Sequence, residues 1–74
     1  MESREVEMIE SLAPQHDELR YLWGRHQTLE DDLARLAELR NPTEGERREM
    51  AEIKRNKLKG KERIHAILEE HRGL

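Results

Sequence analysis

Apolar residues recur at alternating intervals of three and four residues along the first half of the chain. This spacing places all of them on one side of an α-helix and is typical of a coiled-coil seam. The seam positions are Leu19, Leu22, His26, Leu29, Leu33 and Leu36. His26 is the one polar member, and we interpret it as a hydrogen-bonded residue that specifies register rather than as a catalyst. The pattern predicts a long amphipathic helix.

A second seam follows in the last third of the chain. Its members are Met50, Ile53, Lys57, Gly60, Ile64, Ile67 and His71, and Leu58 and Leu68 widen it. Between the two seams, Pro42 cannot continue a helix, and Thr43 and Glu46 have the spacing of a capping box. The chain is therefore predicted to reverse at residues 41–45. The alternative is one long parallel coiled coil that is only kinked at Pro42.

These signals predict an all-α fold, an antiparallel two-helix hairpin with a short N-terminal element. The predicted segments are one domain over residues 1–74, with a short helix or lead-in at 3–13, helices at 14–40 and 44–72, and a turn at 41–45. Pro14 suits the first position of a helix, and Gly73 suits the position just past the end of one. The apolar side of the short element is Val6, Ile9 and Leu12.

Folding back at the turn brings the two seams together. The predicted pairs are Leu36 with Met50, Leu33 with Ile53, Leu22 with Ile64, Leu19 with Ile67, Leu29 with Lys57 and His26 with Gly60. The ends of the hairpin pair apolar residues, whereas its centre does not. We expect the amine of Lys57 to reach Glu30 or Asp31. Gly60 costs about 1 kcal/mol of helix propensity, which we attribute to room for a bulky neighbour, Trp23 or His26.

The composition favours helices that each bury one stripe over a globule with a large core. Hydrophobic residues make up 34% of the chain and charged residues 42%. The chain has no cysteine, which excludes disulfides and zinc–thiolate sites and is consistent with a reducing cytoplasm. No apolar run approaches the roughly 20 residues that span a bilayer. We therefore expect a cytoplasmic protein without a membrane segment.

A two-helix hairpin of this size leaves apolar side chains partly uncovered. They are Tyr21, Trp23, Leu39, Leu58 and Leu68. Such small chains rarely hold together on so little core without a staple or a partner. We therefore expect a homo-oligomer, with two hairpins forming a four-helix bundle as the plainest arrangement. Another helical protein is the alternative partner.

Charge is distributed unevenly along the chain. Residues 1–40 carry five basic and ten acidic residues, whereas residues 41–74 carry nine basic and seven acidic ones. The candidate contacts to a partner or to nucleic acid are Trp23, Lys54, Arg55, Lys57, Lys59, Lys61 and Arg63. We favour pairing of these cations within the chain or between copies, because the net charge of −3 disfavours nucleic acid. The alternative function is a nucleic-acid or ribonucleoprotein accessory protein that binds through residues 54–63.

The residues that could carry chemistry are few and scattered. The antiparallel register brings His16 near His71, where Asp17 or Glu70 could complete a metal site, but the two-histidine spacing of a helical metal site is absent. Ser11 lies away from any predicted base. We therefore predict no catalytic residue, no metal and no cofactor. The predicted function is a non-enzymatic interaction or structural module that self-associates and docks on another protein.

Two stretches of the chain carry a family resemblance. The first comprises His16, Asp17, Glu18, Leu19, Leu22, His26, Leu29 and Leu33, and the second comprises Ile53, Lys54, Lys57, Leu58, Lys59, Lys61, Glu62, Ile64 and Leu68. Together they resemble the YdcH-like family, small bacterial proteins of unknown function, over about residues 12–68. The resemblance implies a cytoplasmic helical hairpin and supplies no catalytic residue, cofactor or established partner. The chain departs from the family pattern at Gly60, where a larger apolar residue is expected, and at Glu62, where Asp is usual.

Overall fold

The computed structural model describes residues 1–72, which form three helices and no strand. Helix α1 spans Ser3–Leu12, α2 spans Asp17–Ala37 and α3 spans Glu44–Arg72, and a 3-10 turn at Ala13–Gln15 joins α1 to α2. The prediction of an all-α fold with a short N-terminal helix is confirmed. No helix in this part of the chain is both long and apolar enough to cross a membrane. The position predicted to follow the last helix, Gly73, lies outside the described residues.

Helix α2 begins later than predicted because His16, rather than Pro14, marks its start. The backbone of His16 is extended, with φ −133° and ψ 100°, and its Nδ1 accepts a 3.1 Å hydrogen bond from the N–H of Leu19. This bond satisfies one of the amide groups that a helix start leaves without a partner. Pro14 lies in the 3-10 turn instead. The prediction of a helix from residue 14 is therefore wrong at its start.

Helix α2 also ends earlier than residue 40. The N–H of Glu38 donates to the carbonyl of Arg35 at 3.3 Å, and the N–H of Leu39 donates to the carbonyl of Leu36 at 3.2 Å. Bonds to the third preceding residue tighten the last turn of a helix and satisfy its free carbonyls. The following proline then prevents the helix from continuing.

Helix α3 begins at the predicted capping box. The N–H of Glu46 donates to Thr43 Oγ1 at 3.1 Å, and the N–H of Thr43 donates to Glu46 Oε1 at 2.7 Å. The reciprocal pair satisfies two backbone donors at once and sets the first residue of the helix. Because α3 then packs back against α2, the alternative of one long kinked coiled coil is wrong.

Two separate apolar cores hold the helices together. The open-end core, beside the chain termini, has Ile9, Ala13, Leu19, Ile64, Ile67 and Leu68 buried, with Met8, Leu12, Leu22 and Trp23 packed against them. The turn-end core, beside the chain reversal, has Leu29, Leu36 and Ile53 buried, with Leu33 and Met50 packed against them. Each apolar pair predicted for the two seams lies within one of these cores.

Helix α1 is an integral third helix of the open end. Ile9 is fully buried, and Met8 and Leu12 pack on the same core. Leu68, which a bare hairpin would expose, is only 5% exposed beneath α1, so its predicted exposure is wrong. The sequence pattern shows that α1 has an apolar side but not which surface that side covers.

The other side chains predicted to be uncovered remain accessible. Tyr21 is 68% exposed, Leu58 57% and Leu39 41%. Trp23 is half-buried because it packs against the open-end core. The open end therefore has three packed helices, whereas the turn end has two.

Gly60 lies at the centre of the hairpin beside a cavity of about 20 Å³. A Cβ built at this position would meet no atom within 4 Å outside its local backbone. The expectation that Gly60 makes room for Trp23 or His26 is therefore wrong, because neither ring approaches it that closely. Gly60 therefore lowers the helix propensity of α3, and no close contact at its Cβ position requires a glycine there.

We expect Gly60→Ala to raise the free energy of unfolding by about 1 kcal/mol, because alanine restricts the unfolded chain and its methyl group meets no obstacle. Urea unfolding followed by circular dichroism measures the change. Gly24→Ala is the matched control, since Gly24 also lies inside a helix with nothing within 4 Å of its Cβ position. If Gly60→Ala were less stable than the wild type while Gly24→Ala were not, the result would contradict the open space around Gly60.

Candidate interaction surfaces

The polar centre of the hairpin consists of His26, Glu30, Lys57 and Gly60. His26 is buried, and its ring stacks on Trp23 with centroids 5.6 Å apart and an interplanar angle of 9°. Its Nε2 lies 3.3 Å from Glu30 Oε1, and Lys57 Nζ lies 3.5 Å from the same oxygen. Lys57 thus reaches Glu30, one of its two expected partners. The shared carboxylate ties α2 to α3 where the apolar seam is interrupted.

The second ring nitrogen of His26 is the exception in this arrangement. Nδ1 is buried and has no hydrogen-bond partner within residues 1–72. A buried polar atom without a partner costs about 1–3 kcal/mol. The hydrogen-bonded role predicted for His26 therefore rests on Nε2 alone, which lies 3.3 Å from the Glu30 carboxylate.

The basic segment 54–63 divides into neutralised and free cations. Arg63 donates to both carboxylate oxygens of Glu18, from Nε at 2.7 Å and from Nη2 at 2.8 Å. These hydrogen bonds lower the pKa of Glu18 and raise that of Arg63. With Lys57 on Glu30, two of the cations are paired across the hairpin. Lys61 is half-buried in the groove beside the polar centre.

Four cations of the segment have no such partner, since the half-buried Lys61 also forms no ion pair within residues 1–72. Lys54, Arg55 and Lys59 are exposed and form no ion pair with another residue of 1–72. Asp32 of α2 pairs with Arg35 of its own helix at 3.3 Å rather than with this segment. Pairing within the chain therefore accounts for Lys57 and Arg63, and pairing of the other cations between copies stays a prediction.

The contacts that attach α1 to α3 are absent from the sequence predictions. His65 Nε2 lies against the carboxylate of Glu5, and an Arg72 Nη2 hydrogen bond of 3.7 Å reaches the sulfur of Met8. These pairs are 60 and 64 residues apart in the chain, so no local spacing signals them. These two side-chain contacts attach α1 to the C-terminal part of α3.

The predicted meeting of His16 and His71 does occur at the open end. Their ring centroids lie 5.7 Å apart in an edge-to-face arrangement. His16 Nδ1 is already engaged in capping α2. Across residues 1–72, no three His, Cys, Asp or Glu side chains cluster closely enough to hold a metal ion. The pair therefore acts as a packing contact between the start of α2 and the end of α3.

A groove of about 400 Å³ lies between α1 and the end of α3. Met8, Leu12 and Leu68 contribute apolar side chains to it. Ser11 and His71 both line this groove, so Ser11 is closer to a base than predicted, but no hydrogen bond joins the two side chains within the described chain. The groove has the composition of an exposed helix–helix seam.

The turn end presents the least covered part of either core. Leu33 and Met50 are half-buried, and Leu39 is 41% exposed just beyond α2. Met50 precedes Leu68 by 18 residues, which is about five helical turns, so both lie on the same side of α3. At the open end this side is covered by α1. At the turn end no third helix within residues 1–72 covers it.

We expect His26→Leu to raise the free energy of unfolding by about 1 kcal/mol or more, because it removes the buried Nδ1 that lacks a partner. It should also broaden the distribution of oligomers in sedimentation, since an uninterrupted apolar seam specifies register less strictly. His26→Gln, which keeps polar atoms at the site, is the control and should show no gain. Marked destabilisation of His26→Leu would indicate a specific partner for the imidazole.

The Glu18–Arg63 pair predicts a contribution to stability that depends on pH. Because the pKa of Glu18 is lower in the folded chain than its ordinary value of 4.5, the pair stabilises the fold above that value. This contribution is lost as pH falls through the lowered pKa. Glu18→Gln should therefore lose less stability than the wild type between neutral and acidic pH in urea unfolding. Arg63→Gln should behave like Glu18→Gln, and an unchanged acid dependence in both would contradict the pairing.

No protein-family model, curated protein or solved structure matches the chain.

Proposed function

We propose that this chain is a non-enzymatic helical interaction module that self-associates and docks on another helical protein. The observation that carries the proposal is the unequal covering of its two cores. Helix α1 completes the open end as a three-helix unit, whereas the turn end has only two helices on which to close its apolar side chains. The incomplete end is the part of the molecule that gains most from a partner.

The apolar side chains at the turn end fit this role. Burying a large aliphatic side chain completely contributes about 1.5–3 kcal/mol, and Leu33 and Met50 begin half-buried. Ala37 is an exposed small residue one turn after Leu33 on the same side of α2, which allows another helix to approach closely. A helix placed here would extend the layer that α1 begins.

Helix α1 also restricts how a second copy can bind. Because α1 covers the same side of α3 at the open end, two copies can stack only their turn ends on this side. The resulting dimer has four packed helices at its centre, and its two open ends point in opposite directions. A four-helix bundle along the full length of both hairpins would require α1 to leave.

The absence of assembled reactive groups in the described chain supports the non-enzymatic part of the proposal. General acid–base or nucleophilic chemistry needs a donor and an acceptor within hydrogen-bond reach of the reacting group. The side chains that meet across the helices are ion pairs and an edge-to-face histidine pair. The YdcH-like resemblance, a bacterial origin and a cytoplasmic location stay predictions.

The alternative function is a nucleic-acid or ribonucleoprotein accessory protein that binds through residues 54–63. The exposed Lys54, Arg55 and Lys59 favour it, because cations that lack a carboxylate partner can neutralise phosphates. Trp23, which could have stacked on a base, is packed between His26 and the open-end core instead. We therefore rank this alternative below the interaction module.

Sedimentation at micromolar concentration should show a dimer or a larger assembly for the wild-type chain. Ala37→Arg should shift the equilibrium towards monomer, because it places a long charged side chain on the turn-end surface without removing a core contact. Tyr21→Ser is the control, since Tyr21 is exposed on another part of α2. A stable, folded wild-type monomer would refute self-association. A dimer unaffected by Ala37→Arg would place the interface elsewhere.

A further inference from the structure

The outward side of α3 carries a surface of net positive charge that belongs to neither core, although the exposed Glu52 and Glu62 lie beside its cations. Its six other members are all exposed and lie within an arc of about 140° at about 100° per residue, which places them on one side of the helix. We call them the outer basic face: Arg48, Ala51, Lys54, Arg55, Leu58 and Lys59. They span about 17 Å along the helix axis at 1.5 Å per residue.

The cations of the outer basic face are available for a partner. Lys54, Arg55 and Lys59 make no ion pair within residues 1–72, and Arg48 only approaches Glu44 at 4.0 Å. By contrast, Lys57 and Arg63 on other sides of α3 are held by carboxylates of α2. The hairpin thus neutralises Lys57 and Arg63 and leaves Lys54, Arg55 and Lys59 without a carboxylate partner.

Leu58 lies within these cations and is 57% exposed. An exposed leucine alone is ordinary, but here Ala51 lies two turns before it and charged side chains flank both. An apolar centre within a charged rim is the usual arrangement of a protein-binding surface. We infer that the outer basic face binds an acidic amphipathic helix of a partner protein. Leu58 and Ala51 contact its apolar side, and Lys54, Arg55 and Lys59 pair with its carboxylates.

The chain contains one acidic helix that lies against the C-terminal part of α3. Helix α1 and the residues before it carry four glutamates and one arginine, and α1 packs along α3 with Glu5 against His65. Its apolar residues Met8 and Leu12 contact the same core as Leu68. Helix α1 is therefore held beside α3 by its apolar side and one Glu5–His65 contact, whereas the outer basic face would add lysine and arginine partners for carboxylates.

A protein helix fits this face better than a nucleic acid does. Phosphates require only the cations, whereas Leu58 would stay exposed in such a complex. The outer basic face contains no aromatic residue on which a base could stack.

The test is a titration of the full chain with a synthetic helical peptide of about 18 residues, built from Glu, Ala and Leu with its leucines on one side. The matched peptide has Lys in place of every Glu. Duplex DNA of about 20 base pairs and single-stranded RNA of similar length are the other probes. Backbone and methyl resonances report the site of binding, and the titration is repeated at low and high salt.

The acidic peptide should shift the resonances of Ala51 and Leu58, and its affinity should fall as salt rises. Leu58→Ser should weaken the binding about tenfold, since it removes the apolar centre. The double variant Arg55→Glu, Lys59→Glu should abolish detectable binding at low salt. Tyr21→Ser, on the other long helix, is the control and should bind like the wild type.

Three kinds of result would overturn the inference. The first is a failure of charge selectivity, in which the acidic peptide does not bind at low salt or the lysine peptide binds equally well. The second is tighter binding of DNA or RNA that Leu58→Ser leaves unchanged, which would make the face a phosphate-binding surface. The third is loss of the dimer in sedimentation of Leu58→Ser, which would assign the face to a second copy. A monomeric wild type that binds the acidic peptide would refute self-association and leave this inference intact.

Discussion

Two hydrogen bonds between Thr43 and Glu46 determine where α3 begins, and the position of every later residue against α2 depends on that start. A shift of one residue would turn α3 by about 100° and would remove Ile53 and Ile64 from the cores. Register along the whole hairpin is therefore fixed at one end, by local chemistry.

The two ends of the hairpin close their cores by different means. At the open end, α1 covers the seam and contributes the fully buried Ile9. At the turn end, the seam remains a two-helix contact, with Leu33 and Met50 half-buried. The polar centre separates them, because His26 and Lys57 occupy seam positions and meet on Glu30. The proposed self-association follows from this difference between the ends.

The local signals in the sequence predict the helices well because they depend on neighbouring residues. The leucine spacing identifies α2, and the capping box identifies the start of α3. His16 is missed as the first cap because an imidazole is not among the preferred capping side chains. The exact end of α2 is missed because tightening of a last turn depends on backbone geometry rather than on residue type.

The surfaces are less predictable because they depend on contacts between distant residues. Nothing near Glu5 in the sequence indicates His65, and nothing near Glu18 indicates Arg63. Unless these pairs are known, the sequence does not show which side of α3 is covered. It also does not show which cations of α3 lack a carboxylate partner. Gly60 shows a local signal that misleads. The glycine predicts close packing, but the space around its Cβ position is open.

The interruption between the two cores has a consequence for how the molecule opens. Cooperative unfolding spreads through contiguous apolar contact, and the polar centre breaks that contact midway along both long helices. The turn end can therefore open as a separate unit while α1 keeps the open end closed. Amide hydrogens around Ile53 would then exchange with solvent faster than those around Ile64, although both side chains are buried. A partner that covers the turn end would bring the two exchange rates together.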